Sequence, residues 1–318
     1  MTQQYDIIGD IHGYYDELVS LLTKLDYTYT NGSWKHPDRK VLFIGDFVDR
    51  GPKQRAVVDL VRGMVDQGDA QAIMGNHEFN AIAFYTERIK GSGDYMRPRT
   101  NNNITQHKEF LSEFACKEDE RDLWTDTIEW FKTLPLWLEL DGIRLVHACW
   151  DQSLINEIVS IYGSNMLTDD LLAASTIKGS QEYKALEVLL KGKEVKLPKG
   201  KFFYDKEGIR RENMRVKWWD ATATTYKSAY LGPDNALDQI PDTPIEDDDA
   251  WVSYSEDEKP VFIGHYWMNG TPDRLAKNIA CTDYSVARPG GKLVAYQWSG
   301  ERILAAENFV CVERVKLS

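Results

Sequence analysis

Three short clusters, Gly9-Asp10-Ile11-His12-Gly13, Gly45-Asp46-Phe47-Val48-Asp49-Arg50-Gly51 and Gly75-Asn76-His77-Glu78, gather side chains suited to holding cations and phosphate. Asp10 and His12 stand two apart, so in extended backbone both project to one side and can grip one ion. Asp46 can bridge two ions through its two oxygens, and Asn76 offers a neutral carbonyl oxygen. His147 and His265, each behind an apolar run, offer imidazole nitrogens. This mixed set suits manganese, iron or zinc better than magnesium or calcium, which favour all-oxygen shells. Two such ions, roughly 3.5–4 Å apart, can share a bridging hydroxide and clamp phosphoryl oxygens during in-line attack. Asp49 is placed to orient His77, and His77 to protonate the departing oxygen as general acid. Arg50 adds a planar, permanently charged fork for the phosphate.

Such side chains work only if separate segments deliver them to one place. Each cluster follows a short apolar run, at residues 5–8, 41–44 and 70–74, closed by glycine, which reads as a strand. Residues 14–25, with Leu18, Leu21, Leu22 and Leu25 on one stripe, read as a helix. So do residues 52–67, with Val57, Val58, Val61, Met64 and Val65 on a stripe and Pro52 in the first turn. Strands alternating with helices imply parallel βαβ units, whose strand ends converge at one sheet edge.

Further along, a helix starts at Asn76, residues 91–108 read as a loop, and 118–134 read as a helix stopped by Pro135. Residues 136–140 and 143–146 flank Asp141-Gly142, a hairpin signal that places His147 at a strand end. Helical patterns at 154–162 and 169–190 follow, then a basic, glycine-containing stretch at 191–201 and acidic residues at 246–249 and 256–258, all read as solvated loops. Strand signals return at 261–263 (closed by Gly264-His265), 278–282, 292–298, 302–305 and 309–315, suggesting a second sheet packed on the first.

Composition narrows the class. Hydrophobic residues at 42% and charged residues at 28% fit a globular chain, and no apolar run approaches a membrane span. The start enters a strand without a leader pattern, which makes the cytoplasm the expected address. Cys116, Cys149, Cys281 and Cys311 form no CxxC pair and read as free thiols. A net charge of −12 argues against wrapping nucleic acid, which needs a basic surface, and allows a phosphorylated protein or a small phosphorylated substrate.

GDIHG, GDFVDRG and GNHE together resemble the signature set of the phosphoprotein phosphatase branch of the calcineurin-like metallophosphoesterases. That branch includes bacterial and phage-type Ser/Thr phosphatases and diadenosine tetraphosphatases. LVHACW and FIGHYW stand where the family has two downstream histidine motifs, and residues 281–298 resemble the strand pair that closes its fold. The resemblance implies an α/β fold, a β-sandwich of two mixed sheets flanked by helices, with the active site at strand C-terminal ends. It implies one domain over residues 1–318, with a substrate-specificity insertion at about 151–260. Asp10, His12 and Asp46 would hold the first metal, and Asp46, Asn76, His147 and His265 the second, with His77 and Asp49 catalytic and Arg50 on phosphate. A second phosphate-binding arginine is implied between the two downstream histidines; Arg210, Arg211 and Arg215 are the candidates, and Arg211 and Arg215 are taken as site residues. Two departures from the pattern are Ala148-Cys149-Trp150, where glycine usually follows the first histidine, and the long segment between the histidines.

The expected activity is phosphomonoester hydrolysis by a dinuclear phosphatase, a protein phosphatase acting on Ser/Thr, with Tyr also allowed; the alternative is a dinucleoside polyphosphate hydrolase of the diadenosine tetraphosphatase type. A binding module with a decayed site is a third reading, opposed by the full complement of ligand residues. Glu78 is expected to be structural in the first turn of its helix, and His36 and His107 to be exposed. Trp150 and Trp267 are expected as pocket walls.

Overall fold

Ile7, Leu42 and Leu145 belong to one apolar cluster, while their strand neighbours Ile8, Val41, Phe43 and Val146 belong to another. Because successive residues of a strand face opposite sides, each of these strands is covered on both faces. The inner cluster joins two sheets face to face, with Tyr5, Ile73, Tyr296 and Trp298 meeting Ile143, Phe262 and Ala280. The outer faces carry helices. The architecture is a sandwich of two mixed sheets with flanking helices. The computed structural model describes residues 3–115, 121–204, 208–246 and 251–315.

The first sheet has Gln4–Ile8 at its centre, parallel to Arg39–Phe43, which is parallel to Ala70–Ala72. On its other side Lys292–Trp298 runs antiparallel and in turn pairs with Asp283–Tyr284 and Phe309–Glu313. The second sheet centres on Val261–Ile263, parallel to both Arg144–Val146 and Ile279–Cys281, with Trp137–Glu139 and Arg274–Ala276 antiparallel outside. The parallel strands of both sheets end at the same edge, and Gly264 N–H donates to the His147 carbonyl across them at 2.8 Å.

Helices Tyr15–Lys24 and Gln54–Asp66 cover the first sheet through the leucine and valine stripes expected of them. Pro52 lies just ahead of the second helix rather than inside it. The stretch 91–108 is not one loop: Thr100 caps a helix at Asn101–Gln106, followed by Lys108–Phe114. The predicted helix at 169–190 is two, Asp169–Ser175 and Gln181–Lys191. Gly179 takes φ 90° between them, and the Ser180 hydroxyl accepts from Tyr183 N–H at 2.9 Å. Residues 302–305 form no strand, and Phe309–Glu313 joins the first sheet, not the second. Tyr296 decides that geometry, since its hydroxyl accepts from Ala305 N–H and folds the connection back over the strand. Arg121–Lys132 falls within the predicted helix at 118–134, whose residues 118–120 lie outside the described residues, as do Cys116, 205–207 and 247–250. Within 151–260 a separate apolar cluster forms around Val195, Phe203, Met214, Tyr226 and Tyr230.

One buried ion pair pins the strand carrying the first motif. Arg39 donates to Asp6 at 2.9 Å, to the Tyr5 carbonyl at 2.6 Å and to the Trp298 carbonyl at 3.0 Å, tying three neighbouring strands, while Tyr27 donates to Asp6 at 2.9 Å. Breaking one side of a buried pair leaves the other uncompensated, so Arg39→Met is expected to destabilise the fold by about 3 kcal/mol. Asp6→Asn in the same chain should recover part of that loss. Urea unfolding checks this, and an unchanged midpoint in Arg39→Met would refute it.

Candidate active site

The loops at the shared edge use backbone that ordinary side chains seldom adopt. His12, Asp46, Asp49 and Arg50 have φ of 49°, 53°, 68° and 74°, and His265 and Trp267 have 68° and 53°. Strain of this kind costs about 1–3 kcal/mol per residue and persists only where the surroundings over-determine it. Here the loops are tied to one another. The Asp46 carbonyl accepts from Ile11 and His12 N–H at 3.1 and 2.8 Å, and the His12 carbonyl accepts from Gly51 N–H at 2.8 Å. Glu78, fully buried, accepts from the N–H groups of Asp46, Phe47 and Gly75 at 2.8, 2.8 and 3.0 Å. Its role is structural, but it reaches beyond its own helix to bind two motifs together. Burial and the nearby Asp46 charge push its carboxyl up to about 7. Gly45, at φ 92°, has no room for a side chain, because a Cβ would lie 2.3 Å from Gly75 N. At Gly264 a Cβ would lie 2.2 Å from Asp10 Oδ1.

Inside these loops Asp10, His12, Asp46, Asn76, His147 and His265 come together. His12 Nε2 lies 4.0 Å from Asp10 Oδ2 and 3.8 Å from Asp46 Oδ2. His147 Nε2 lies 3.3 Å from Asp46 Oδ2 and 3.2 Å from Asn76 Oδ1, and His265 Nδ1 lies 2.7 Å from the same Asn76 oxygen. Nδ1 of His12 donates to the Val48 carbonyl and that of His147 to the Ile44 carbonyl, at 2.9 and 2.8 Å, which turns both Nε2 atoms inward. Donor atoms of His12, Asp46 and His77 lie within 4.8 Å of one another, and so do those of Asp46, His147 and His265.

These residues fit a pair of metal ions. His12 Nε2 and His265 Nε2 are buried without a hydrogen-bond partner among the described residues. Burial, with His77 and Arg50 adding to it, drops His12 to about 3, so its ring is neutral as a ligand must be. Three buried carboxylates, Asp10, Asp46 and Asp283, lie together; burial and the charges of Asp283 and Asp46 push Asp10 well up. For Asp46 burial acts the same way, yet His147 and His77 hold it well below the usual range. Against burial, Asp46 lifts His147 to about 10. A crowd of buried carboxylates and imidazoles with this pattern is what cations relieve.

Beside the cluster, His77 Nδ1 meets Asp49 Oδ2 at 2.5 Å and His77 N–H donates to Asp46 Oδ1 at 2.9 Å. Burial would lower His77, but Asp46 and Asp49 raise it. His107, expected to be exposed, is instead fully buried, with Nδ1 2.7 Å from Asp49 Oδ1. It starts the helical stripe His107, Phe110, Phe114, a spacing the polar stretch before it obscures. His36 is half-buried and accepts from Asp38 and Arg39 N–H. Asp283, also unforeseen, accepts from Trp267 N–H at 2.7 Å and Ser285 N–H at 2.9 Å. Like Asp10 it follows an apolar run, the one signal that marks it.

The arginines divide. Arg50 is exposed and stacks on Trp267 with 3.9 Å to the ring centroid, and Arg288 stacks on the same ring at 4.2 Å. Arg215 stands beside the cluster, where burial and its charge hold His265 well below its ordinary value, and its Nε has no hydrogen-bond partner among the described residues. Arg210 and Arg211 lie exposed on a short strand paired with Phe203–Tyr204, and Arg210 pairs with Glu212 at 2.9 Å. Trp267 borders the site as expected. Trp150 is 1% exposed and packs in the core, with Arg144 over its ring, so it forms no pocket wall. His147 turns its ring into the ligand cluster, whereas Trp150 belongs to the large apolar core.

Comparison with known proteins agrees with this geometry. The family model of calcineurin-like phosphoesterases matches residues 5–294. Bis(5'-nucleosyl)-tetraphosphatase PrpE [asymmetrical] of Bacillus subtilis (strain 168) is 49% identical over 145 residues, 45% of this chain and 56% of that protein. The protein of that name from Halalkalibacterium halodurans is 52% identical over 75 residues, 23% of this chain and 30% of that protein. The chain thus spans about half the length of the curated relatives it matches, or less. Among solved structures, a cold-active protein tyrosine phosphatase superposes with a TM-score of 0.51 at 18% identity, covering 93% of this chain and 74% of that one, a likeness of fold. No helix among the described residues is long and apolar enough to cross a membrane. With the family model spanning nearly the whole chain, and two groups of potential metal ligands sharing Asp46 at the edge of a two-sheet sandwich, this chain belongs to the calcineurin-like phosphoesterases, a family of metal-dependent phosphoester hydrolases.

Proposed function

We propose that this chain hydrolyses a phosphoanhydride bond of a dinucleoside polyphosphate, in the cytoplasm, with two first-row metal ions, manganese, iron or zinc. The order of preference drawn from the motifs, with protein phosphatase first, is therefore reversed. The observation that carries the reading is Arg288. It is exposed, stacks on Trp267 beside Arg50, and makes no ion pair or side-chain hydrogen bond among the described residues. One phosphoryl group is served by Arg50 and Arg215; a further unpaired cation at the rim suits a substrate with a longer phosphate chain. The names of the Bacillus subtilis and Halalkalibacterium halodurans relatives support the same choice.

Asp10, His12 and Asp46 would hold one ion and Asp46, Asn76, His147 and His265 the other. When bound, such ions supply the activated nucleophile and neutralise charge on the phosphoryl oxygens. The chain supplies the rest. Arg50 and Arg215 orient the reacting phosphoryl group, and His77, held by Asp49, delivers a proton to the oxygen of the departing phosphate.

Incubation of metal-loaded protein with diadenosine tetraphosphate is expected to give AMP and ATP, separated by chromatography, faster than phosphate is released from phosphopeptides. In Arg288→Ala the KM for the tetraphosphate should rise about tenfold, the worth of one charge-assisted contact, with little change for p-nitrophenyl phosphate. A preference for phosphopeptides would restore the protein phosphatase reading.

A further inference from the structure

Asp49 is gripped from two sides. Its Oδ2 meets His77 Nδ1 at 2.5 Å, and its Oδ1 meets Nδ1 of His107 at 2.7 Å. Its own N–H donates to Gln54 Oε1 at 2.6 Å, and its φ of 68° leaves the backbone little freedom. His107 arrives from a different part of the fold, the junction of helices Asn101–Gln106 and Lys108–Phe114. Its ring stacks on Phe110 at 4.6 Å and is flanked by Phe84 at 5.4 Å. Nε2 finds no partner among the described residues, so the single polar contact its ring makes there is the one to Asp49. Burial opposes ionisation of Asp49, yet the two imidazoles draw it well below the carboxylate range, with His107 the larger influence of the two. An ionised Asp49 can only accept, so Nδ1 of each ring donates to it.

We propose that His107 is a positioning residue for catalysis: its Nδ1–H fixes the Asp49 carboxylate so that Oδ2 holds His77 in the one orientation from which Nε2 reaches the leaving oxygen. The relay is His107 to Asp49 to His77. A carboxylate bonded to a single imidazole can swing about its χ2 axis and carry that ring with it. One bonded at both oxygens, with the far ring wedged between two phenylalanines, cannot. His107 itself belongs to neither group of potential metal ligands. The inference rests on His77 being the general acid, and the test separates the two ideas.

His107→Leu removes the donor, whereas His107→Asn puts an amide N–H at the place of Nδ1, and both are compared with wild type and with His77→Asn. The first readout is the low-field Nδ1–H proton resonance of His77 by NMR, which needs no turnover. It is expected to persist in His107→Asn and to be lost to solvent exchange in His107→Leu. The second is the rate on p-nitrophenyl against phenyl phosphate, a good and a poor leaving group. His107→Leu should lose roughly 10–100-fold in kcat on the poor leaving group, far less on the good one, with KM unchanged, and His107→Asn should restore most of it. An unaltered His77 resonance in His107→Leu, or an equal loss on both esters, would overturn the proposal. If His77→Asn itself shows no steeper leaving-group dependence, the acid role of His77 fails instead, and the resonance still decides the His107 link.

Discussion

Asp46→Asn is expected to lower kcat about 10³-fold, the rate equivalent of several kcal/mol of lost transition-state stabilisation, and to reduce bound metal measured by elemental analysis. Asp46 Oδ2 lies 3.3 Å from His147 Nε2 and 3.8 Å from His12 Nε2, so this oxygen is common to both ligand groups. Asparagine keeps the shape and one oxygen but not the charge, and a neutral amide cannot bridge two cations. The backbone should tolerate the change, because asparagine accepts φ near the 53° seen here better than most residues. The hydrogen bonds at the Asp46 N–H and carbonyl do not involve its side chain. The variant should therefore stay folded in the metal-free state, with a melting temperature close to the metal-free wild type. Retention of full metal content and full rate would show that Asp46 is not the shared ligand.

The second large effect is expected from His77→Asn, a fall of about 10²–10⁴ in kcat on substrates with poor leaving groups, with metal content unchanged. The pH profile gives the sign. Asp46 and Asp49 raise His77 against the effect of burial, so the acid form survives to higher pH than for an ordinary histidine. Activity that needs this proton is present below that raised value and falls as pH rises through it. In His77→Asn the alkaline fall should disappear, leaving a flatter and lower profile. If the alkaline limb persists, another group donates the proton.

How much of this was legible follows from what each segment has to do. The residues at 10, 12, 46, 76 and 77 were readable because each follows a strand whose apolar run is complete within a few residues and whose loop must turn sharply. Such places admit few residue types: Gly45 is required by φ 92° and by Gly75 N at 2.3 Å from any Cβ. The alternation separating Ile7 from Ile8 likewise shows in the chain itself. His107 was not readable, because the asparagines before it look like loop residues and its role depends on a partner 58 positions away. Nor was the placement of Lys292–Trp298. An alternating strand states that one face is buried, not which sheet it joins, and here it pairs with the first strand of the chain. Arg215 could not be told from Arg210 and Arg211, since three nearby arginines differ only in which way the folded segment turns them.

That pairing of Lys292–Trp298 with Gln4–Ile8 sets an order of events during synthesis. Gly9 N–H donates to the Val294 carbonyl at 3.1 Å, and His265 N–H reaches Asp10, 255 residues away in the chain. At roughly 5–20 residues per second, the loop carrying Asp10 and His12 leaves the ribosome tens of seconds before the strand that braces it. Until then the Asp10 carboxylate lacks the His265 N–H that donates to it in the folded chain. Formation of the full ion pocket therefore waits until Lys292–Trp298 has paired with Gln4–Ile8 and His265 has reached Asp10.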